Sequence, residues 1–335
     1  MTIDVHGHIT SPELFRRFPM PPSLADVDGM VELKAAAGIT TSLVGSPVGA
    51  GTMVRTPGLD NYRQPADALE RFHDWLGEQV RARPAALRGY VYANPLGSDA
   101  ELAAADERLA QPEFVGLMVN SSVAGRFLDV PQADSFFALA ARHRAPVLLH
   151  PPAEPAGAGE LRDLRLVEQI ARPCDVTLGT AAVLFAGWLE KYPDLRIVAP
   201  VCGGGLPLLL ERLELARRMP PGFGRPGGGP AGGPTATPPA PLAGVLSRVY
   251  VDTATPSLRA IAAAVDAFGP GNVLFGTDSP PMSAPLDASL ARLDGLGLDP
   301  AALARIRHGN AAELFGLPAG TDRPTPPMRD REVLP

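Results

Sequence analysis

The stretch "IDVHGHIT" places His6 and His8 one residue apart behind a short apolar run. If the preceding residues form a strand, alternate residues share a face and the two imidazoles point the same way. Two imidazoles on one face at a strand end can chelate a single metal ion. The same spacing also fits a polar strand end beside the N-terminus, so the dipeptide spacing alone leaves both readings open. The chain has only six histidines, and the question is whether the rest of the sequence brings further ligands to the same place.

The elements that would do so are legible as apolar, β-branched runs separated by segments of helical period. Strands are expected near 2–5, 39–44, 87–93, 114–119, 146–149, 196–199, 248–251 and 272–275. Between them, "PADALERFHDWLGEQVRARP" carries Leu69, Phe72, Leu76 and Val80 at helical spacing. "TLGTAAVLFAGWLEKYP" is a second helix, stopped by Pro193, and "DPAALARIRHGNAAELFG" a third, stopped by Gly316. Eight strands alternating with helices predict an α/β protein of the (β/α)8 TIM-barrel class, a single domain over 1–318. In such barrels function sits at the C-terminal ends of the strands. His6 and His8 are placed just past strand one, His150 just past strand five and Asp278 just past strand eight, so all four converge on one mouth.

Composition narrows the function classes. Apolar residues make up 45% of the 335 and charged residues 20%, ordinary for a soluble globular protein. A net charge of −6 without a basic run argues against nucleic-acid binding. No segment reaches the roughly 18 apolar residues of a membrane span, and the N-terminus lacks a basic, signal-like region. Two cysteines are too few for a disulfide framework, and a reducing cytoplasm is the expected location. Residues 220–242 form a Gly/Pro-rich loop and 319–335 a Pro-rich tail, and neither can bury enough apolar surface to fold alone.

Seven motifs in order, "IDVHGH", "FVGLMVNSSVAGRFLD", "APVLLHP", "LEKYPDLRIVAP", "VYVDTAT", "VLFGTDSP" and "GNAAELFGL", resemble the amidohydrolase-related family of metal-dependent barrels. The similar branch contains the aminocarboxymuconate-semialdehyde and resorcylate decarboxylases, and the resemblance runs from about residue 1 to 318. It implies that His6, His8 and His150 give imidazoles and Asp278 a carboxylate to one divalent ion. Such a nitrogen and oxygen set suits catalytic Zn²⁺ and also accepts Mn²⁺ or Fe²⁺. The sequence departs from the family at one place. Where the family reads "PHGGG", with a His that handles protons, this chain reads "APVCGGGLP". An ungapped match puts Val201 at the His position; a shift of one residue puts Cys202 there. A valine cannot move a proton, whereas a thiol can if a nearby cation lowers its pKa.

The remaining candidates are weaker. Arg212 matches an arginine that the family keeps after its glycine run, from where it can reach a substrate carboxylate across a dimer contact; an exposed helix position is the other reading. Arg126, after strand four, could clamp an anionic substrate or order its own loop with Asp129. Arg55, after strand two, is a further anion-binding candidate. Asn120, Ser121 and Ser122 end strand four and could hydrogen-bond substrate or cap the loop. Asp252 could orient a ligand histidine. Asp4, placed on the strand face opposite His6, is expected to be structural, as is the apolar pair Phe185 and Trp188, whereas His73 and His143 are expected to be structural or exposed.

The combined expectation is a metal-dependent, zinc-loaded lyase (a decarboxylase) or hydrolase acting on a small carboxylated or cyclic organic substrate, as a homodimer. Asp278 and Cys202 are its catalytic candidates, and Arg126, Arg212 and Asn120 its substrate-binding ones. The missing histidine keeps open a hydratase, isomerase or cyclase, and a non-catalytic binding barrel.

Overall fold

The computed structural model describes residues 1–18, 20–45, 66–219, 241–281 and 285–318. Arg55, nearly all of the Gly/Pro-rich loop and the whole of the 319–335 tail lie outside the described residues. Eight strands run parallel and in sequence order: β1 (Ile3–His8), β2 (Thr41–Gly45), β3 (Leu87–Tyr92), β4 (Phe114–Asn120), β5 (Val147–His150), β6 (Ile197–Ala199), β7 (Val249–Asp252) and β8 (Val273–Leu274). The sheet curls back on itself. The Val5 N–H donates to the Phe275 carbonyl at 3.0 Å and the Asp278 N–H to the His6 carbonyl at 2.7 Å, joining the last strand's end to the first. The result is a (β/α)8 barrel. A two-stranded hairpin, Ser122–Val123 against Arg126–Phe127, follows β4.

Period-2 alternation divides the strand residues between two apolar layers. Ile3, Val5, Leu43, Tyr90, Met118, Leu148, Val198 and Leu274 form one cluster, with Tyr250 packed on it. A cluster that draws a side chain from every strand is the barrel interior. The neighbours Leu117, Val119, Val147, Leu149, Ile197 and Val249 face the helices instead, with Phe72, Leu76 and Val80 from the helix Ala66–Ala82. That helix matches its periodicity. Trp188 is fully buried, and its indole donates to the Leu128 carbonyl at 2.7 Å. Phe185, expected in the core, is 40% exposed, because the helix Arg172–Ala186 ends at Gly187 (φ 78°) and Trp188 begins a new turn. His73 is buried and accepts the Tyr92 N–H at 2.9 Å, and His143 pairs with Asp106. Among the described residues no helix is long and apolar enough to cross a membrane.

β1 extends through His8, so both histidines lie within the strand rather than past it. Strict alternation would put Asp4, His6 and His8 on one face. A register shift between Asp4 and Gly7 separates them. Asp4 then faces out, taking the Lys34 ammonium at 2.7 Å, while the imidazoles face in. Gly7 is required between them: a Cβ there would stand 2.9 Å from Lys34 Nζ and 3.3 Å from the Ser279 carbonyl oxygen.

Candidate metal centre

Register brings the expected ligands to one level at the C-terminal end of the barrel. Asn120 pairs with His150 across β4 and β5, and β1 carries His6 and His8 at its own end. Asp278 follows β8 in a left-handed conformation (φ 54°), which Asp tolerates better than most residues. The backbone bond to His6 and three hydrogen bonds from Thr277 and Ser279 hold that turn. Thr277 N–H and Oγ1–H both donate to Asp4, at 3.0 and 2.6 Å, and the Ser279 N–H donates to Thr277 Oγ1 at 3.1 Å. The buried Asp4–Lys34 pair thus ties β1 to the segment that bears Asp278.

One ligand atom from each of His6, His8, His150 and Asp278 lies within 4.8 Å of the others. Asp278 Oδ1 is 2.9 Å from His8 Nε2 and 3.5 Å from His6 Nε2. The three rings meet edge to face, with centroids 4.7 to 5.5 Å apart. The imidazoles are buried, and the Asp278 side chain is 21% exposed, so the carboxylate is the member that opens to the mouth. Among the described residues, neither His6 Nε2 nor His8 Nε2 has a hydrogen-bond partner of acceptable geometry. A buried polar group left in that state costs about 1–3 kcal/mol. Inward lone pairs beside a carboxylate are what a divalent cation needs, and the donor set fits one.

Burial and the neighbouring charges act differently on each member of the cluster. Burial works against charge on His6, but Asp278 and Asp252 outweigh it and push the ring up to about 9. Burial holds His8 and His150 down as neutral imidazoles. Burial also opposes ionisation of Asp278, yet His6, His8 and His150 together hold it well below the usual carboxylate range. Asp252, at the end of β7, is fully buried; its Oδ2 is 2.6 Å from His6 Nδ1. That contact fixes a proton on Nδ1 and leaves Nε2 as the nitrogen that faces the cluster. Gly276 makes room for it, since a Cβ there would meet the Asp252 Cβ at 2.9 Å.

The other candidates lie elsewhere. Asp252 Oδ1 accepts the Val201 N–H at 2.7 Å, so Val201 is one residue removed from the cluster. Val201 and Cys202 both have left-handed backbones (φ 54° and 56°), an outlier for a β-branched residue. Cys202 is 1% exposed and packs with Val176, Ala199, Leu206 and Val251; burial and the charge of Asp252 push its thiol up. The expected role of Cys202 as proton donor is therefore corrected: its side chain belongs to the packing around the barrel, because the turn that presents Val201 sends the next side chain into the core. Asn120 is buried at the mouth end of β4 and accepts the Tyr92 hydroxyl. Ser121 and Ser122 donate to the buried Asp175, at 2.5 and 2.8 Å, and order the loop. Arg126 is exposed on the hairpin, and Arg212 is exposed on the helix Leu210–Arg217.

Sequence reasoning missed one pair. Arg172 opens the helix that follows β5 and is buried, with Nη1 3.1 Å from Glu168 Oε2. Its i, i+4 spacing after the strand that ends in His150 was the available signal.

The amidohydrolase family model matches residues 3–317. The chain belongs to the amidohydrolase family. A 2-amino-3-carboxymuconate-6-semialdehyde decarboxylase of Dictyostelium discoideum is 21% identical over 222 residues, covering 65% of this chain and 59% of the relative. A gamma-resorcylate decarboxylase of Rhodococcus jostii (strain RHA1) is 30% identical over 167 residues, covering 44% of this chain and 49% of the relative. The matched part of this family member thus spans about half to three-fifths of those curated relatives. Among solved structures, a 2,6-dihydroxybenzoate decarboxylase complexed with 2,6-dihydroxybenzoate superposes with a TM-score of 0.75 at 19% identity, over 94% of this chain and 99% of that one. A dihydroxybenzoic acid decarboxylase from Polaromonas sp. JS666, with bound manganese and 2-nitroresorcinol, gives 0.73 at 20% identity, over 94% and 97%.

Proposed function

We propose that this chain is a divalent-metal-dependent decarboxylase of small carboxylated aromatic compounds. The observation that carries the reading is the inward-facing cluster of His6, His8, His150 and Asp278, with buried imidazole nitrogens that a cation would satisfy. The relatives named for decarboxylation of such acids support the substrate class. We take the ion to be Zn²⁺ or Mn²⁺; the donor set accepts either, and the Polaromonas structure holds manganese. Once bound, a divalent ion there supplies Lewis acidity to substrate oxygens.

The chain's own residues do the rest. Asp252 holds the His6 ring in the tautomer that directs its free nitrogen inward. Asn120 and Arg126 are the proposed contacts to the ring substituents and the anionic edge. The bond from the ring carbon to the carboxylate breaks, CO₂ leaves, and the electron pair stays on the carbon, which then takes a proton. Asp278 is the proposed carrier of that proton, as the cluster member open to the mouth. Val201 favours this over hydrolysis. An attacking water needs a base, and the side chain at that position cannot act as one.

We also propose a homodimer. Leu215 is 61% exposed at i+3 from Arg212 on the helix Leu210–Arg217, and Leu208, 80% exposed, ends the turn before that helix, so the arginine stands among exposed leucines suited to a second copy. The exposed free thiol of Cys174 suits a reducing, cytoplasmic setting.

The test is turnover. Protein loaded with Mn²⁺ or Zn²⁺ is incubated with 2,6-dihydroxybenzoate, 5-carboxyvanillate and related acids, and loss of the acid and release of CO₂ are followed together. Metal-dependent turnover that disappears in His150→Ala is expected. Metal-loaded protein that converts none of them contradicts the reading and favours a hydratase, isomerase or binding role.

A further inference from the structure

The segment after β5 carries a second charged arrangement at the same mouth. It turns through Leu164–Leu166, a π-helical turn Val167–Ala171 and the helix Arg172–Ala186. The Ser121 N–H donates to the His150 carbonyl at 2.8 Å and the Ser121 hydroxyl to Asp175 at 2.5 Å, so the first turn of that helix is tied to the mouth ends of β4 and β5. Single π turns inside helices recur at functional sites. Here the π turn separates two faces. Leu166 and Ile170 are 46% and 56% exposed, whereas the Glu168 and Arg172 side chains are 18% and 8% exposed and joined at 3.1 Å.

Burial raises Glu168 above the ordinary carboxylate range, Arg172 opposes this, and Asp278 reinforces it. Arginine is rarely buried unless paired, and a desolvated pair is weak evidence for a stabilising role. A planar fork of donors at the mouth of a cationic centre is instead suited to a carboxylate ligand.

We propose that Arg172 is an anion-recognition residue of this mouth, and that Glu168 is the carboxylate it exchanges for that of the bound substrate. The inference rests on the decarboxylase reading only in placing a carboxylated ligand at this centre. Arg172 contacts the ligand; Glu168 is a positioning residue that keeps the guanidinium aimed while the site is empty and competes with the ligand for it.

The test is charge-selective binding to Mn²⁺-loaded protein by calorimetry, with 2,6-dihydroxybenzoate and its uncharged counterpart 1,3-dihydroxybenzene as probes. Arg172→Met should weaken the carboxylate by about 10- to 100-fold, the scale of a hydrogen bond to a charged group, and leave the uncharged probe and the manganese content unchanged. Arg172→Lys should recover part of the loss. Glu168→Gln should tighten the carboxylate several-fold, because glutamine keeps an acceptor for Arg172 and removes the competing charge. The opposite signs separate recognition from structure. If Arg172→Met and Glu168→Gln weaken both probes alike, or if Arg172→Met binds the carboxylate as well as wild type, the proposal is overturned. Turnover is read on the same samples: Arg172-dependent binding without CO₂ release would sink the decarboxylase reading and leave this one standing.

Discussion

Asp252→Asn is a nearly isosteric change with a directional consequence. In the native site Asp252 Oδ1 accepts the backbone N–H groups of Val201 and Ala254, at 2.7 and 3.0 Å, and Oδ2 accepts the proton on His6 Nδ1 at 2.6 Å. Those two backbone donors fix which way an asparagine must turn. Its oxygen stays with Val201 and Ala254, so its NH₂ faces His6 Nδ1. That nitrogen must then accept, and the ring proton moves to Nε2, the atom aimed at the cluster. One of four ligands is lost without a change of shape. Second-sphere substitutions of this kind cost about 10- to 100-fold in metal affinity, or ~1.4–2.7 kcal/mol. The assay is chelator competition with Mn²⁺ or Zn²⁺ on protein whose circular dichroism is unchanged. Asp252→Ala is the contrast, since it removes the acceptor of both part-buried N–H groups, at up to about 1–3 kcal/mol each, and should lower the melting temperature as well. If Asp252→Asn binds metal as tightly as wild type, the tautomer argument is wrong.

Four further outcomes are expected. Metal binding must displace the proton from His6, whose pKa is pushed up to about 9, so near neutral pH calorimetry in buffers of different ionisation enthalpy should show about one proton released, and affinity should climb with pH and level off near 9; a flat profile contradicts this. In metal-free protein the sign reverses, because a raised pKa adds stability that is full below 6.5 and lost as pH rises through about 9. Lys34→Met leaves the Asp4 carboxylate buried without its ammonium and should cost about 3–5 kcal/mol in denaturant unfolding; a cost under about 1 kcal/mol would show that Asp4 does not depend on the pair. Val201→His restores a proton-transfer group beside Asp252 and should raise turnover, by up to the ~10²–10⁴ that a positioned general acid or base supplies; unchanged turnover would mean that Val201 does not face the reacting atoms.

Much of this was legible in the sequence. All eight strands lie where apolar β-branched runs placed them, and the four proposed ligands stand after or at the ends of β1, β5 and β8. Asp252 acts on His6 as its position after β7 suggested. The details that escaped are set by tertiary geometry. Asp4 does lie on the face opposite His6, as expected, but through a register shift that leaves no mark on period-2 alternation. The left-handed turn at Val201 and Cys202 decides which of two adjacent residues enters the core, and no residue there advertises it, since neither is glycine. Phe185 reads as core by helical period, yet the break at Gly187 gives that place to Trp188. Arg172 looks like one more helix arginine until the fold brings it beside His150.

The central claim is that His6, His8, His150 and Asp278 hold one divalent ion. Elemental analysis of the purified protein, before and after loading with Mn²⁺ or Zn²⁺, tests it most directly, with His8→Ala as control. The account requires about one equivalent in the native protein and its loss in the variant. Native protein that takes up no metal after loading, or a variant that keeps a full equivalent, would contradict it.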